Sequence, residues 1–169
     1  MITARFMPVA AVACILLIVP AGCHLRLGLQ PDKQLLSPEG YATWLAEDTR
    51  LHHLFADSRA AYKASDDFND LQPYWRATQQ YIDHGFTLYR AYQHLRQSPP
   101  PDLVASLEAR TGYLMDVADE FIKHHSTAMG VGLANEIVRD YSDLTVMAPA
   151  QRRAHHVLDE YRGRGDYGP

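Results

Sequence analysis

The sequence predicts an all-α protein, an antiparallel four-helix bundle with a short extra helix at its C-terminal end. Two observations carry this. Long stretches repeat apolar residues at three- and four-residue spacing, and none shows sustained alternation of polarity with β-branched enrichment. The breaks between these stretches are short and rich in proline or polar residues, as antiparallel neighbours require. A length of 169 residues, 47% of them hydrophobic and 21% charged, suffices for one packed domain and excludes a disordered or collagen-like chain.

The first element is an address rather than part of the bundle. A single cation, Arg5, precedes an uncharged apolar run over residues 7–19. As a helix this run reaches about 20 Å, short of the roughly 30 Å of a bilayer core, so residues 1–22 read as a signal peptide. Pro20-Ala21-Gly22-Cys23 then resembles the lipobox of bacterial lipoprotein precursors, with proline where that family most often has leucine. The resemblance covers only the leader. It implies a diacylglyceryl group on Cys23, cleavage just before it and acylation, as by palmitate, of the new amino terminus. His24 after the cysteine, in place of aspartate, implies sorting to the outer membrane, with the domain on its periplasmic face. The alternatives are a non-lipidated secretory signal or an uncleaved signal anchor.

Residues 23–36 lack sustained periodicity, contain Gly28 and Pro31, and read as a lipidated tether. The bundle domain spans residues 37–163. Ser37-Pro38-Glu39 places a hydroxyl cap, a proline and an acid in the order a helix start favours. Helix one runs to about residue 63, with Tyr41, Trp44, Leu45, Phe55 and Tyr62 on one face. After a polar break at residues 65–67, helix two covers about residues 69–96 and aligns Leu71, Tyr74, Trp75, Ile82, Tyr89 and Tyr92, with Pro73 in its first turn. Three prolines at residues 99–101 end it. Helix three, about residues 102–126, presents Leu103, Leu107, Leu114, Val117, Phe121 and His125. Gly130 and Gly132 mark a turn, Leu133, Ile137, Tyr141 and Leu144 a fourth helix, and Pro149 opens a fifth piece ending near Gly163. Residues 164–169 read as a loose tail.

Charge and cysteine usage exclude several functions. The formal net charge is −4, and about −5 once Arg5 leaves with the leader, which argues against nucleic acid as a partner. The only cysteines are Cys14 and Cys23, so the body has no disulfide framework, thiolate metal site or cysteine nucleophile.

Nine histidines direct attention to metal chemistry. Turning each helix by about 100° per residue sends His84, His94 and His156 outward and puts His53, His124 and His155 at edges. His52 and His125 fall near stripe centres, and Asp48 lies one turn before His52. Asp48, His52 and His125, with the Thr78 hydroxyl nearby, are therefore candidate ligands for Zn²⁺ or another divalent metal in the bundle interior. The competing reading is a hydrogen-bonded polar core that needs no cofactor. Ferritin-like bundles carry Glu-x-x-His pairs, whereas Glu120 and His124 here are four apart and have no second copy.

Aromatic residues are the other excess. Tyr74, Trp75, Tyr81, Tyr89 and Tyr92 lie on or beside one face of helix two and are candidates for a groove that takes a partner helix. Ordinary core packing with hydroxyls at the rim is the alternative. Arg59 projects inward without an evident acid within reach. No nucleophile elbow, phosphate-binding glycine loop, H-E-x-x-H or haem-attachment motif occurs, so no enzyme is predicted. The expectation is a membrane-anchored envelope lipoprotein that binds or helps assemble another envelope protein, by analogy with small helical pilot lipoproteins. A periplasmic metal-binding or sensing bundle is the alternative.

Overall fold

A computed structural model describes residues 31–142 and 144–162. The predicted signal peptide, Cys23, the first part of the tether and the 164–169 tail lie outside the described residues. The described residues are helical throughout, joined by short turns, and no strand occurs among them. In order the helices are α1 (Pro31–Leu35), α2 (Pro38–Ser65), α3 (Phe68–His94), α4 (Pro101–Lys123), α5 (Thr127–Asp140) and α6 (Ala148–Tyr161), with a 3₁₀ turn at Thr145–Met147 before α6. The all-α bundle is as expected. Among the described residues, no helix is long and apolar enough to cross a membrane.

Each helix from α2 onward packs against the next, and α3 runs antiparallel to both of its neighbours. Trp44 meets His84 and Tyr62 meets Tyr74, so α2 and α3 run in opposite directions. Arg110 reaches Tyr81 and Phe121 meets Trp75, which sets α4 antiparallel to α3 in turn. The helices α2 and α4 therefore run parallel, and long side chains bridge them: Asp48 to Arg110, Phe55 to Tyr113 and Tyr62 to Glu120. Asp48, Phe55 and Tyr62 stand seven apart, about two helical turns, so they share one face. Helix α3 lies between these two and buries most of its length. At the far edge, α6 buries only Ala150 and Ala154.

Local chemistry sets the boundaries. Ser37 caps α2, accepting from the Gly40 amide at 3.1 Å, and Asp67 caps α3, accepting from the Asn69 amide at 2.7 Å. Because the Asp67 cap starts α3 at Phe68, Pro73 stands at the sixth helical position, just past the first turn in which it was expected. Residues of the expected tether also fold: α1 packs on α2 and α3, and its Asp32 lies 3.3 Å from His94 Nδ1. Helices α3 and α4 end in matching six-to-one caps. The Gln97 amide donates to the Tyr92 carbonyl and the Ser126 amide to that of Phe121. The left-handed residues of these caps are Arg96 (φ 55°) and His125 (φ 59°), rather than the usual glycines.

Gly130 and Gly132, expected to form a turn, lie inside α5. At Gly130 a Cβ would come within 2.6 Å of the Ala118 carbonyl oxygen, so glycine there permits the close approach of α5 to α4. The chain instead turns at residues 124–126. Leu144, expected within the fourth helix, lies beyond it in the connection to α6.

Candidate functional site

The three predicted metal ligands do not meet. The Asp48 carboxylate is held by Arg110, whose Nη1 donates to Oδ1 at 2.7 Å and Nη2 to Oδ2 at 2.8 Å. His52 is exposed beside the Tyr81 ring, and His125 is exposed in the left-handed cap that follows α4. The error at His52 has an identifiable cause. Including Tyr41 and Leu45 in the apolar stripe draws its centre toward His52, yet both are more than two-fifths exposed. The buried set of Trp44, Asp48, Leu51, Phe55 and Tyr62 centres about 70° away from His52 at 100° per residue. Thr78 is buried but bonds back to the Tyr74 carbonyl of its own helix, at 2.8 Å.

The tyrosine face of α3 is interior. Tyr74, Tyr81 and Tyr89 are buried beneath neighbouring elements, while Trp75 and Tyr92 are half-buried. The groove expected for a partner helix is filled by the bundle itself.

Sequence reasoning missed Arg110, which is 4% exposed. Its Nε donates to Ser106 Oγ at 3.1 Å, Nη1 also donates to the Tyr81 carbonyl at 3.1 Å, and its guanidinium carbon lies 3.8 Å from the Tyr81 ring centroid. A signal was present. In α4 the inward positions run Leu103, Leu107, Arg110, Leu114, Val117, Phe121, so Arg110 occupies the one slot of that register without an apolar residue.

A second polar centre lies where the end of α2 meets the end of α4. The Tyr62 hydroxyl, on a residue with no exposed surface, donates to Glu120 Oε2 at 2.6 Å. It also lies 3.1 Å from His124 Nε2 and 3.4 Å from Asp66 Oδ1. Lys63 pairs with the other oxygen of Glu120, and Lys123 donates to Asp66 Oδ1 at 2.7 Å. Burial, then the bond to Glu120, pushes the Tyr62 phenol well above its ordinary range. Burial opposes ionisation of Glu120, but the bonds from Lys63 and Tyr62 outweigh it and hold the carboxyl below its ordinary value. The Lys123 bond likewise lowers Asp66.

Ligand atoms of Asp66, Glu120 and His124 lie within 4.8 Å of one another, the one such grouping among the described residues. One imidazole, two carboxylates and a phenol oxygen form a donor set suited to a hard or borderline divalent cation. The two lysine ammoniums already neutralise the carboxylates, so a metal would have to compete with them.

The opposite end of the bundle carries a cleft of about 360 Å³ lined by Leu36, Tyr41, Trp44, Tyr92, Leu103 and Arg110 among others. Trp44, in the wall of this cleft, is held from behind by reciprocal bonds with His84. The indole Nε1 donates to the His84 carbonyl at 3.1 Å, and His84 Nε2 lies 3.0 Å from the Trp44 carbonyl, with the rings stacked at 5.1 Å. His84, expected to point outward, is thus half-buried against α2.

No family model, no curated protein and no solved structure matches this chain.

Proposed function

We propose that this chain is a lipid-anchored helical protein of the bacterial cell envelope that acts by binding another envelope protein. The carrying observation is Pro20-Ala21-Gly22-Cys23 behind the apolar run of residues 7–19, with His24 favouring the outer membrane. Acyl chains contribute about 0.8 kcal/mol per buried methylene, so two or more hold a domain of this size on a bilayer. From Cys23 to the start of α1 at Pro31 the chain spans at most about 30 Å, even fully extended. The α1 end of the domain, with its cleft around Tyr41, Trp44 and Tyr92, is then the end nearest the membrane. The aromatic and apolar residues of its lining, Leu36, Tyr41, Trp44, Leu88, Tyr92 and Leu103, suit an apolar side chain presented by an extended protein segment.

The test is mass spectrometry of the protein recovered from membranes, with cross-linking in intact cells. Acylated Cys23 and a reproducible cross-linked partner support the proposal. A freely dissolved protein with an unmodified thiol at that position overturns it.

A second reading, a metal-binding bundle, is favoured by the Asp66–Glu120–His124 grouping. Equilibrium dialysis against Zn²⁺ tests it. Stoichiometric retention that is lost in His124→Gln supports the reading, and no retention removes it.

A further inference from the structure

Two donor pairs, each four residues apart, meet where α2 and α4 end: Tyr62 with Asp66, and Glu120 with His124. The Tyr62 phenol oxygen stands at their centre. It lies 2.6 Å from Glu120 Oε2, 3.1 Å from His124 Nε2 and 3.4 Å from Asp66 Oδ1, and the last two atoms are 3.7 Å apart. No two ligand atoms of Asp66, Glu120 and His124 are more than 4.8 Å apart. Donors held at about 2.1 Å in a tetrahedron around one Zn²⁺ stand about 3.4 Å from each other. The four side chains are thus gathered at nearly the spacing of a single coordination shell.

A cation already sits among them. The Lys123 ammonium lies 2.7 Å from Asp66 Oδ1 and 3.4 Å from Glu120 Oε2, two of the same oxygens. Lys63 pairs instead with Glu120 Oε1, the oxygen that Tyr62 does not use. The two kinds of group differ in freedom. The Lys123 side chain keeps 55% of its exposure and can swing into water, whereas Tyr62 has no exposed surface and stacks on Tyr74 at 5.8 Å. With Lys123 withdrawn and the phenol ionised, three anionic donors and the Lys63 ammonium leave the charge that a divalent ion neutralises.

We propose that Tyr62 is the fourth ligand of a divalent metal site with Asp66, Glu120 and His124, and that Lys123 is its built-in competitor, displaced as the ion enters. The inference rests on the metal-binding reading above. On binding, the phenol proton passes to solvent, and the freed oxygen and His124 Nε2 each give the ion a lone pair. Nε2 can do so when the imidazole is neutral with its proton on Nδ1. The Lys123–Asp66 bond opens in the same step, with the ammonium keeping its proton. A borderline ion such as Zn²⁺ accepts this mixture of imidazole nitrogen and anionic oxygen.

The test adds Zn²⁺ to the full chain, measures retention by equilibrium dialysis, and follows tyrosinate formation by ultraviolet difference spectroscopy. The expected result is one ion per chain, with a difference band equal to one tyrosinate. Tyr62→Phe should bind about tenfold more weakly and without the band. Lys123→Met should bind about tenfold more tightly, a gain that a purely structural ion-pair network does not give. Because Lys123 is exposed, its variant tests the proposal even where Tyr62→Phe loosens the core. Zinc retained without the band, or unchanged affinity in either variant, overturns the assignment and leaves the metal reading standing. No retention by the parent chain overturns both.

Discussion

Arg110 grips both carboxylate oxygens of Asp48 while its guanidinium lies 3.8 Å from the centroid of the Tyr81 ring, so one side chain of α4 ties α2 and α3 together. Removing one partner leaves a charge that only the other could neutralise. Arg110→Met is expected to cost about 3 kcal/mol, the lower end for a broken buried pair, because the Asp48 side chain keeps 12% of its exposure. The double variant Asp48→Leu, Arg110→Met should lie within about 1 kcal/mol of the parent, since well-packed apolar groups replace such pairs at little cost. Urea denaturation of the four members of this cycle measures the coupling. Additive effects would show that the pair is not acting as a unit.

His125 makes a contrasting prediction, because the left-handed φ of 59° is strained for any residue with a Cβ. His125→Gly is expected to stabilise the protein by about 0.5–1 kcal/mol, the relief of strain exceeding the added entropy of the unfolded chain. His125→Val should destabilise it. Thermal melts of both variants are the check, and a destabilised glycine variant would assign the imidazole a structural contact.

Alkali should act through the buried phenols. Burial raises Tyr62 and Tyr141 far above the ordinary value of 10.0 and pushes Tyr74 to about 12. A raised folded value means that the stability these groups contribute is fully present below about pH 10 and is lost as pH rises toward the folded values. Tyrosinate absorbance at pH 11 should therefore show these three still protonated in the folded protein. Full ionisation of all ten tyrosines with unchanged helical circular dichroism would contradict this.

Acid should act at the Tyr62 junction. Glu120 and Asp66 are held below their ordinary values of 4.5 and 3.8, so their contribution is present above those values and is lost as pH falls through the lowered ones. Lys63→Met removes the strongest support for ionised Glu120 and should move the acid-unfolding midpoint to higher pH. An unchanged midpoint would mean that the exposed lysine contributes nothing there, as holds for many surface pairs.

Much of the fold was legible because helical periodicity is a local property. The apolar register of α4, the Ser37 cap of α2 and the proline break before α4 all lie in consecutive residues. Local rules erred where a residue serves a distant one. Gly130 reads as a turn former until the Ala118 carbonyl is seen against it, and His125 reads as a face residue until the six-to-one cap turns it out. The site was less legible still. Arg110 was visible only as a polar residue in an apolar register, and His52 was drawn inward by Tyr41 and Leu45, which the bundle leaves exposed.

The residues alone determined an all-α body, its helix count to within one short element, and an amino-terminal pattern resembling a lipobox. Partnership was decided by tertiary structure: Asp48 with Arg110 rather than a histidine, Tyr62 with Glu120 and His124, and the tyrosines of α3 in the core. Periodicity gives the angle at which a side chain leaves its own helix, whereas a hydrogen bond between residues about 60 positions apart depends on how two helices are set along and around each other. That setting is chosen by packing of the whole core, and no short stretch of the chain contains it.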